Sequence, residues 1–186
     1  MNQVKIESLQ PRLRLFIPLA LFTLIAVFLF RALSLNPASI PSAMIGRSLP
    51  EFELPVLENE RLTNNADLIG RSILINVWAT WCAACVIEHP FLMRLADSGI
   101  PIYGVNYKDQ VVGARKWLSD YGDPYVSNII DQHGKLGFDM GVFGAPETFF
   151  VDANGIIQYR HVGIINEDIW TSKLARLFSG LEEGDK

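Results

Sequence analysis

The stretch Trp78-Ala79-Thr80-Trp81-Cys82-Ala83-Ala84-Cys85, with the apolar run that leads into it, constrains this chain more than anything else in it. Residues 72–79 read SILINVWA, apolar and β-branched almost throughout, which predicts a strand buried on both faces. Residues 82–98 follow with helical spacing, and Gly99 supplies a stop. Two cysteines three apart thus fall in the first turn of a helix that leaves a buried strand. There the unpaired backbone N–H groups and the helix dipole favour negative charge. A thiolate so placed is stabilised below the free-cysteine pKa of about 8.5. Cys82 is then the attacking sulfur, and Cys85, one turn deeper, resolves a mixed disulfide.

These are the only two cysteines among 186 residues. A secreted disulfide scaffold needs more, at wider spacing. A zinc site needs two further ligands; no second C-x-x-C exists, which leaves His89, His133 and His161 to complete a Cys₂His₂ set. Haem attachment needs histidine directly after the second cysteine, and Val86 stands there. A structural disulfide over a two-residue loop restrains the unfolded chain very little. Thiol–disulfide exchange is the leading reading, with copper binding through both sulfurs as the alternative from another class.

Residues 15–30 are apolar except for Thr23, with Pro18 inside the run. Sixteen residues make about 24 Å of helix, and extension to residue 35 reaches the roughly 30 Å of a hydrocarbon core. Lys5, Arg12 and Arg14 precede the run and Arg31 alone follows closely, so the positive-inside bias keeps the N-terminus cytoplasmic. The expected organisation is a cytoplasmic tail at 1–14, a transmembrane anchor at 15–35, a linker at 36–47, a globular domain at 48–180 and a tail at 181–186. A cleaved signal peptide is the competing reading of the first segment. The chain beyond residue 35 holds 12 Lys and Arg against 19 Asp and Glu, which argues against nucleic acid as partner.

Within the domain, residues 52–57 and 61–63 predict a short hairpin, and 64–70 a helical turn. Residues 101–106 and 127–130 read as strands, 113–121 as a helix and 135–140 as a helical turn. Residues 148–151 and 156–161 flank the turn Asp152-Ala153-Asn154-Gly155. A terminal helix spans 166–178, with Asn166 as N-cap. Val86, Phe91, Leu92 and Leu95 are core candidates, and His89, Trp117 and Trp170 read as structural. Strands alternating with helices, then a hairpin and a helix, predict an α/β fold with a central mixed sheet flanked by helices.

The W-x-x-W-C-x-x-C stretch, Pro90 eight residues after Cys82, and Ala145-Pro146-Glu147-Thr148 before an apolar strand together resemble the thioredoxin superfamily. With the N-terminal anchor, INVWATWCAAC, GVNYKD, GVFGAPETFFVDANGII and YRHVG, the chain is similar to the periplasmic thiol:disulfide interchange proteins of cytochrome c maturation (DsbE/CcmG type). The resemblance implies a thioredoxin-like fold, a cis-proline at Pro146 facing the cysteines, and reduction of protein disulfides. It also implies apocytochrome c or a cytochrome-maturation thiol protein as substrate and a membrane disulfide reductase as electron donor. No cofactor or metal is expected beyond the Cys82–Cys85 pair, and a monomer is expected. A general periplasmic thioredoxin-like reductase is the alternative within the class.

Two departures from the pattern matter. Ala83 and Ala84 stand where many relatives carry a proline between the cysteines. Asn76 stands where thioredoxin carries a buried aspartate, so another group must accept the Cys85 proton. Glu88, one turn beyond Cys85, and Glu147, after the expected cis-proline, are the candidate acids. Trp81, Ala145, Pro146, Thr148, Tyr107 and Asp109 are the expected substrate-contacting residues; Trp78 is expected to pack.

Overall fold

A computed structural model describes residues 10–33 and 44–184. The chain divides into two units, one ending at Ile40 and the other starting at Pro41. In the first, helix α1 spans Gln10–Leu33, with Pro18 inside it and Arg31 in its last turn. The side chains at 16–32 are all exposed. Among the described residues no helix is long and apolar enough to cross a membrane. Residues 1–9 of the expected tail, and 34–43 of the expected span and linker, lie outside the described residues.

The second unit begins with a small antiparallel hairpin, β1 (Glu53–Pro55) and β2 (Leu62–Asn64), followed by a 3₁₀ turn at Asn65–Leu68. Its main sheet centres on β3 (Ile73–Trp78), whose six residues are all buried, as a strand covered on both faces requires. β4 (Ile102–Tyr107) pairs parallel with β3, and β5 (Ser127–Asp131) parallel with β4. On the other side β6 (Glu147–Val151) and β7 (Ile157–Val162) continue antiparallel, giving the order β5-β4-β3-β6-β7. This is the central mixed sheet expected from the residue pattern, and it agrees with the thioredoxin-like fold that the resemblance implies.

Helix α2 (Ala83–Asp97) links β3 to β4, and α3 (Val111–Tyr121) links β4 to β5. Both crossovers step in one direction across the sheet, so right-handed connections put both helices on one face. The terminal helix joins them through Leu174 and Phe178. The opposite face is covered more thinly by the short α4 (Lys135–Asp139), the 3₁₀ turn through Leu68, and Leu49. Strand alternation divides the residues accordingly. Leu74, Trp78 and Phe150 face the layer of α2, α3 and the terminal helix, whereas Ile73, Ile75, Val77, Phe149 and Val151 meet the other layer.

Two expectations change. Val86 is 40% exposed rather than core. The buried positions on α2 are Cys85, Glu88, His89, Phe91, Leu92 and Leu95, and Val86 sits about 100° off that stripe. The terminal helix also runs further than expected. It starts as α5 (Glu167–Ile169), passes through a π turn at Trp170–Leu174 and continues as α6 (Ala175–Gly184), across residues 181–184 that read as tail. Leu181 packs against the core there, which supports the added turn.

Candidate active site

Cys82 is the N-cap of α2, with extended backbone, and its sulfur accepts the Cys85 N–H at 3.0 Å. A side chain that satisfies an orphan N–H of the first turn is what Ser, Thr and Asp do elsewhere; here sulfur does it. That bond and the helix N-terminus are both oriented to hold negative charge at Cys82. Cys82 and Cys85 are joined as a disulfide, with Cα atoms 5.3 Å apart. The two alanines between them keep the first turn helical.

The loop before Cys82 is fastened from beneath. Asp109 accepts from Thr80 N at 2.6 Å, Thr80 Oγ1 at 2.7 Å and Asn106 Nδ2 at 3.1 Å. It also accepts from Gln110 N at 2.8 Å. The expected substrate contact at Asp109 is therefore a buried tie between the ends of β3 and β4. Trp81, by contrast, is 55% exposed, and its Nε1 donates to Lys108 O at 3.1 Å. That bond presents a large apolar face beside the nucleophile. Tyr107 points to the opposite layer, buried with Leu136 and Met140. The residue is the last of β4, and alternation places it one step out of phase with Asn106, so it forms no groove wall.

The Ala145–Pro146 bond is cis. Pro146 is buried, and its carbonyl accepts from Gly163 N at 3.0 Å. Ala145 is half-buried and packs on the cluster that contains both cysteines. Thr148 is fully buried and accepts from Asn76 Nδ2 at 3.0 Å, so its hydroxyl belongs to the interior and not to a substrate surface. Glu147 was expected beside the sulfurs. As a neighbour of Thr148 on a strand, it must point to the other face, and it does. Its Oε2 accepts from Arg160 Nε at 2.8 Å, and Arg160 Nη2 lies 2.6 Å away as an ion pair without hydrogen-bond alignment. Its Oε1 accepts from Phe143 N at 2.9 Å and Gly144 N at 3.2 Å, holding the loop that leads into the cis-proline. The Arg160 guanidinium lies 4.9 Å from the Phe143 ring, which is 85% exposed.

Glu88 takes the place expected of it, on the inner face of α2 one turn beyond Cys85, and it is 1% exposed. Its Oε2 accepts from Asn76 Nδ2 at 3.1 Å and its Oε1 from Ile165 N at 2.7 Å. Burial raises its pKa to about 7, against the smaller lowering influence of those two donors. The folded protein therefore holds a proton on Glu88 that the unfolded chain, with a carboxyl near 4.5, releases earlier. The stability associated with Glu88 is fully present below pH 4.5 and is lost as pH rises toward 7. In the oxidised protein, wild type should lose about 3 kcal/mol more unfolding free energy across that window than Glu88→Gln. Denaturant titrations at a series of pH values measure the difference, and identical slopes would remove the raised pKa.

His89, next to Glu88, turns away: its Nε2 donates to Gly122 O at 3.1 Å, and its ring meets Trp117 edge-on at 4.4 Å. Trp78 is buried between Trp117 and Tyr125. Among the described residues no group of three or more His, Cys, Asp and Glu could hold a metal ion. Three partners were not anticipated from sequence: Arg160 for Glu147, Ile165 N–H for Glu88, and Tyr125 for Asn76. The first had a signal, since the 152–155 turn sets a hairpin register that puts Arg160 opposite Phe149, diagonal to Glu147. The other two arise from loops with no periodic pattern.

A model of the family described as Redoxin matches residues 44–177. The thiol:disulfide interchange protein DsbE of Pseudomonas fluorescens biotype C is 49% identical over 170 residues, covering 91% of this chain and 96% of that protein. The chain belongs to the DsbE thiol:disulfide interchange proteins of the Redoxin family. The Escherichia coli K12 DsbE is 43% identical over 171 residues, covering 88% and 92% of the two chains. Among solved structures, Mycobacterium tuberculosis DsbF superposes with a TM-score of 0.61 at 25% identity, covering 70% of this chain and 94% of that one. As a DsbE-type protein the chain is a thiol–disulfide oxidoreductase that exchanges with protein substrates, and the capped Cys82 with Cys85 behind it is the geometry such exchange needs.

Proposed function

We propose that the protein is a membrane-anchored reductant of protein disulfides, its domain on the periplasmic side, that keeps haem-attachment cysteines reduced during cytochrome c maturation. The observation that carries the exchange chemistry is the Cys82 sulfur at the N-cap of α2, accepting the Cys85 N–H at 3.0 Å, and the reducing direction rests on the family resemblance. The anchor rests on the apolar run at 15–35 and the charges around it. The cytochrome role rests on resemblance in the GAPETF and YKD segments.

In the reduced protein the Cys82 thiolate attacks a substrate disulfide, forming a Cys82–substrate bond and expelling one substrate thiolate. The extended backbone of a bound polypeptide lies along Ala145, beside the cis-proline, while the exposed Trp81 covers its side chains. Cys85 then loses its proton and attacks the Cys82 sulfur. The internal disulfide forms, the second substrate thiolate leaves, and two electrons have passed to the substrate. Glu88, buried one turn from Cys85 with a carboxyl near neutrality, accepts that proton in place of the aspartate absent at Asn76. The dithiol is regenerated by a membrane disulfide reductase.

Cys85→Ser leaves Cys82 to hold its substrate as a mixed disulfide. Purified under alkylating conditions from its own cells, this variant should carry an apocytochrome c or a maturation thiol protein. A broad set of unrelated secreted proteins would mark a general reductase, and the absence of any adduct would overturn the reading.

A further inference from the structure

Beneath the cysteines lies a buried polar chain that the exchange steps above use at one end only. The Tyr125 hydroxyl donates to Asn76 Oδ1 at 2.9 Å. The Asn76 amide then gives its two hydrogens to Glu88 Oε2 at 3.1 Å and Thr148 Oγ1 at 3.0 Å. Tyr125 and Asn76 are buried, and among the described residues the Tyr125 hydrogen goes to Asn76 Oδ1 and no other acceptor. Turning the amide over would aim its oxygen at Glu88 and leave the Tyr125 O–H buried without an acceptor, which is unfavourable.

The ring that carries this hydroxyl is fixed. It stacks on Trp78 at 5.7 Å and 17°. Gly104 of β4 leaves the room: a Cβ there would come within 3.0 Å of Tyr125 Cγ and 2.9 Å of Trp78 Nε1. Trp78 is held in turn by Asn128 Oδ1, which accepts from its Nε1 at 3.1 Å.

We propose that Tyr125 is a positioning residue of the exchange reaction: it locks the Asn76 amide with its NH₂, not its oxygen, toward Glu88, and so keeps the Glu88 carboxylate available to take the Cys85 proton. This rests on the reading of Glu88 as the proton acceptor. Without the hydroxyl, the amide is free to present its oxygen, which accepts from a protonated carboxyl and favours the acid form of Glu88.

The other groups around Glu88 are accounted for. On its own helix stand the cysteine pair and His89, which is turned to Gly122 O. From the loop before α5 comes the Ile165 N–H. On β7, His161, opposite Thr148, is engaged with Ile164 O at 3.2 Å. Asp123 lies beyond Tyr125 and bonds Tyr125 N and Asn128. Among the described residues no lysine or arginine is bonded to Glu88.

The test is Tyr125→Phe, which keeps the stacked ring. Two readouts are needed: titration of ¹³C-labelled glutamate carboxyls by NMR, and the pH profile of mixed-disulfide resolution on a peptide carrying a Cys-x-x-Cys-His disulfide. The Glu88 midpoint should rise by about one pH unit, a tenfold change in its ionisation, and the kinetic profile should move up with it. In a Glu88→Gln background, Tyr125→Phe should move nothing further. Asn76→Ala, which deletes the relay, should reproduce the rise. An unmoved Glu88 midpoint, or a kinetic shift that persists in the Glu88→Gln background, overturns the positioning role. If Glu88→Gln itself leaves the wild-type profile unchanged, the acceptor role of Glu88 falls and this proposal with it, while normal reaction at Cys82 leaves the exchange function standing.

Discussion

Replacing Cys82 by serine is expected to lower the rate of protein-disulfide reduction by on the order of a thousandfold or more. The reacting species is the thiolate, and a serine hydroxyl at the same N-cap does not ionise near neutral pH, whatever the helix terminus contributes. The cap itself survives, because serine oxygen accepts the Cys85 N–H as readily as sulfur does. Folding should therefore be intact, and the loss should lie in chemistry. Stopped-flow measurement of reduced protein against a disulfide substrate reads the rate, and a denaturant midpoint under reducing conditions checks the fold. Retention of more than about a tenth of wild-type rate would mean that Cys85 attacks on its own, without the N-cap position that favours a thiolate at Cys82.

Glu147→Gln should have the largest effect on stability. The side chains of Glu147 and Arg160 are 2% and 6% exposed, so the pair is desolvated. Removing one charge leaves a guanidinium buried without its counter-ion, which costs about 3–5 kcal/mol. The glutamine oxygen can still accept from Phe143 N and Gly144 N, so the loop before the cis-proline keeps its anchor while the amide nitrogen faces Arg160. Urea unfolding should show the loss, and titration of Cys82 in the reduced protein should be unchanged. A shifted cysteine titration with unaltered stability would put Glu147 back beside the sulfurs.

Glu88 and Glu147 illustrate how far residue patterns carry. The two acids read alike in sequence, each placed near a motif and each a candidate proton acceptor. Glu88 lies three positions after Cys85 on one helix, so that helix determines their shared face. Glu147 is tied to the site through a strand, where the next residue faces the opposite way. The same alternation takes Tyr107 away from the expected substrate contact, and Asp109 is drawn inward because Thr80 and Asn106 surround it with donors. Val86 fails as a core residue for the helical version of the same reason.

The local signals fixed by the chain were the buried β3, the start of α2 at Cys82, the cysteine pair, the 152–155 turn and the Asn166 cap. Each of these depends on residues close together in sequence, where backbone preference and periodicity act directly. Tertiary structure decided which partners the two acids meet, the Ile165 N–H and Asn76 for Glu88 and the buried Arg160 for Glu147. It also brought Asn76, Tyr125 and the Ile165 N–H together, across separations of 49 and 77 residues in the bonds they make. Those contacts exist because a buried polar group must find a partner wherever the fold offers one, and no short-range pattern records which loop will supply it.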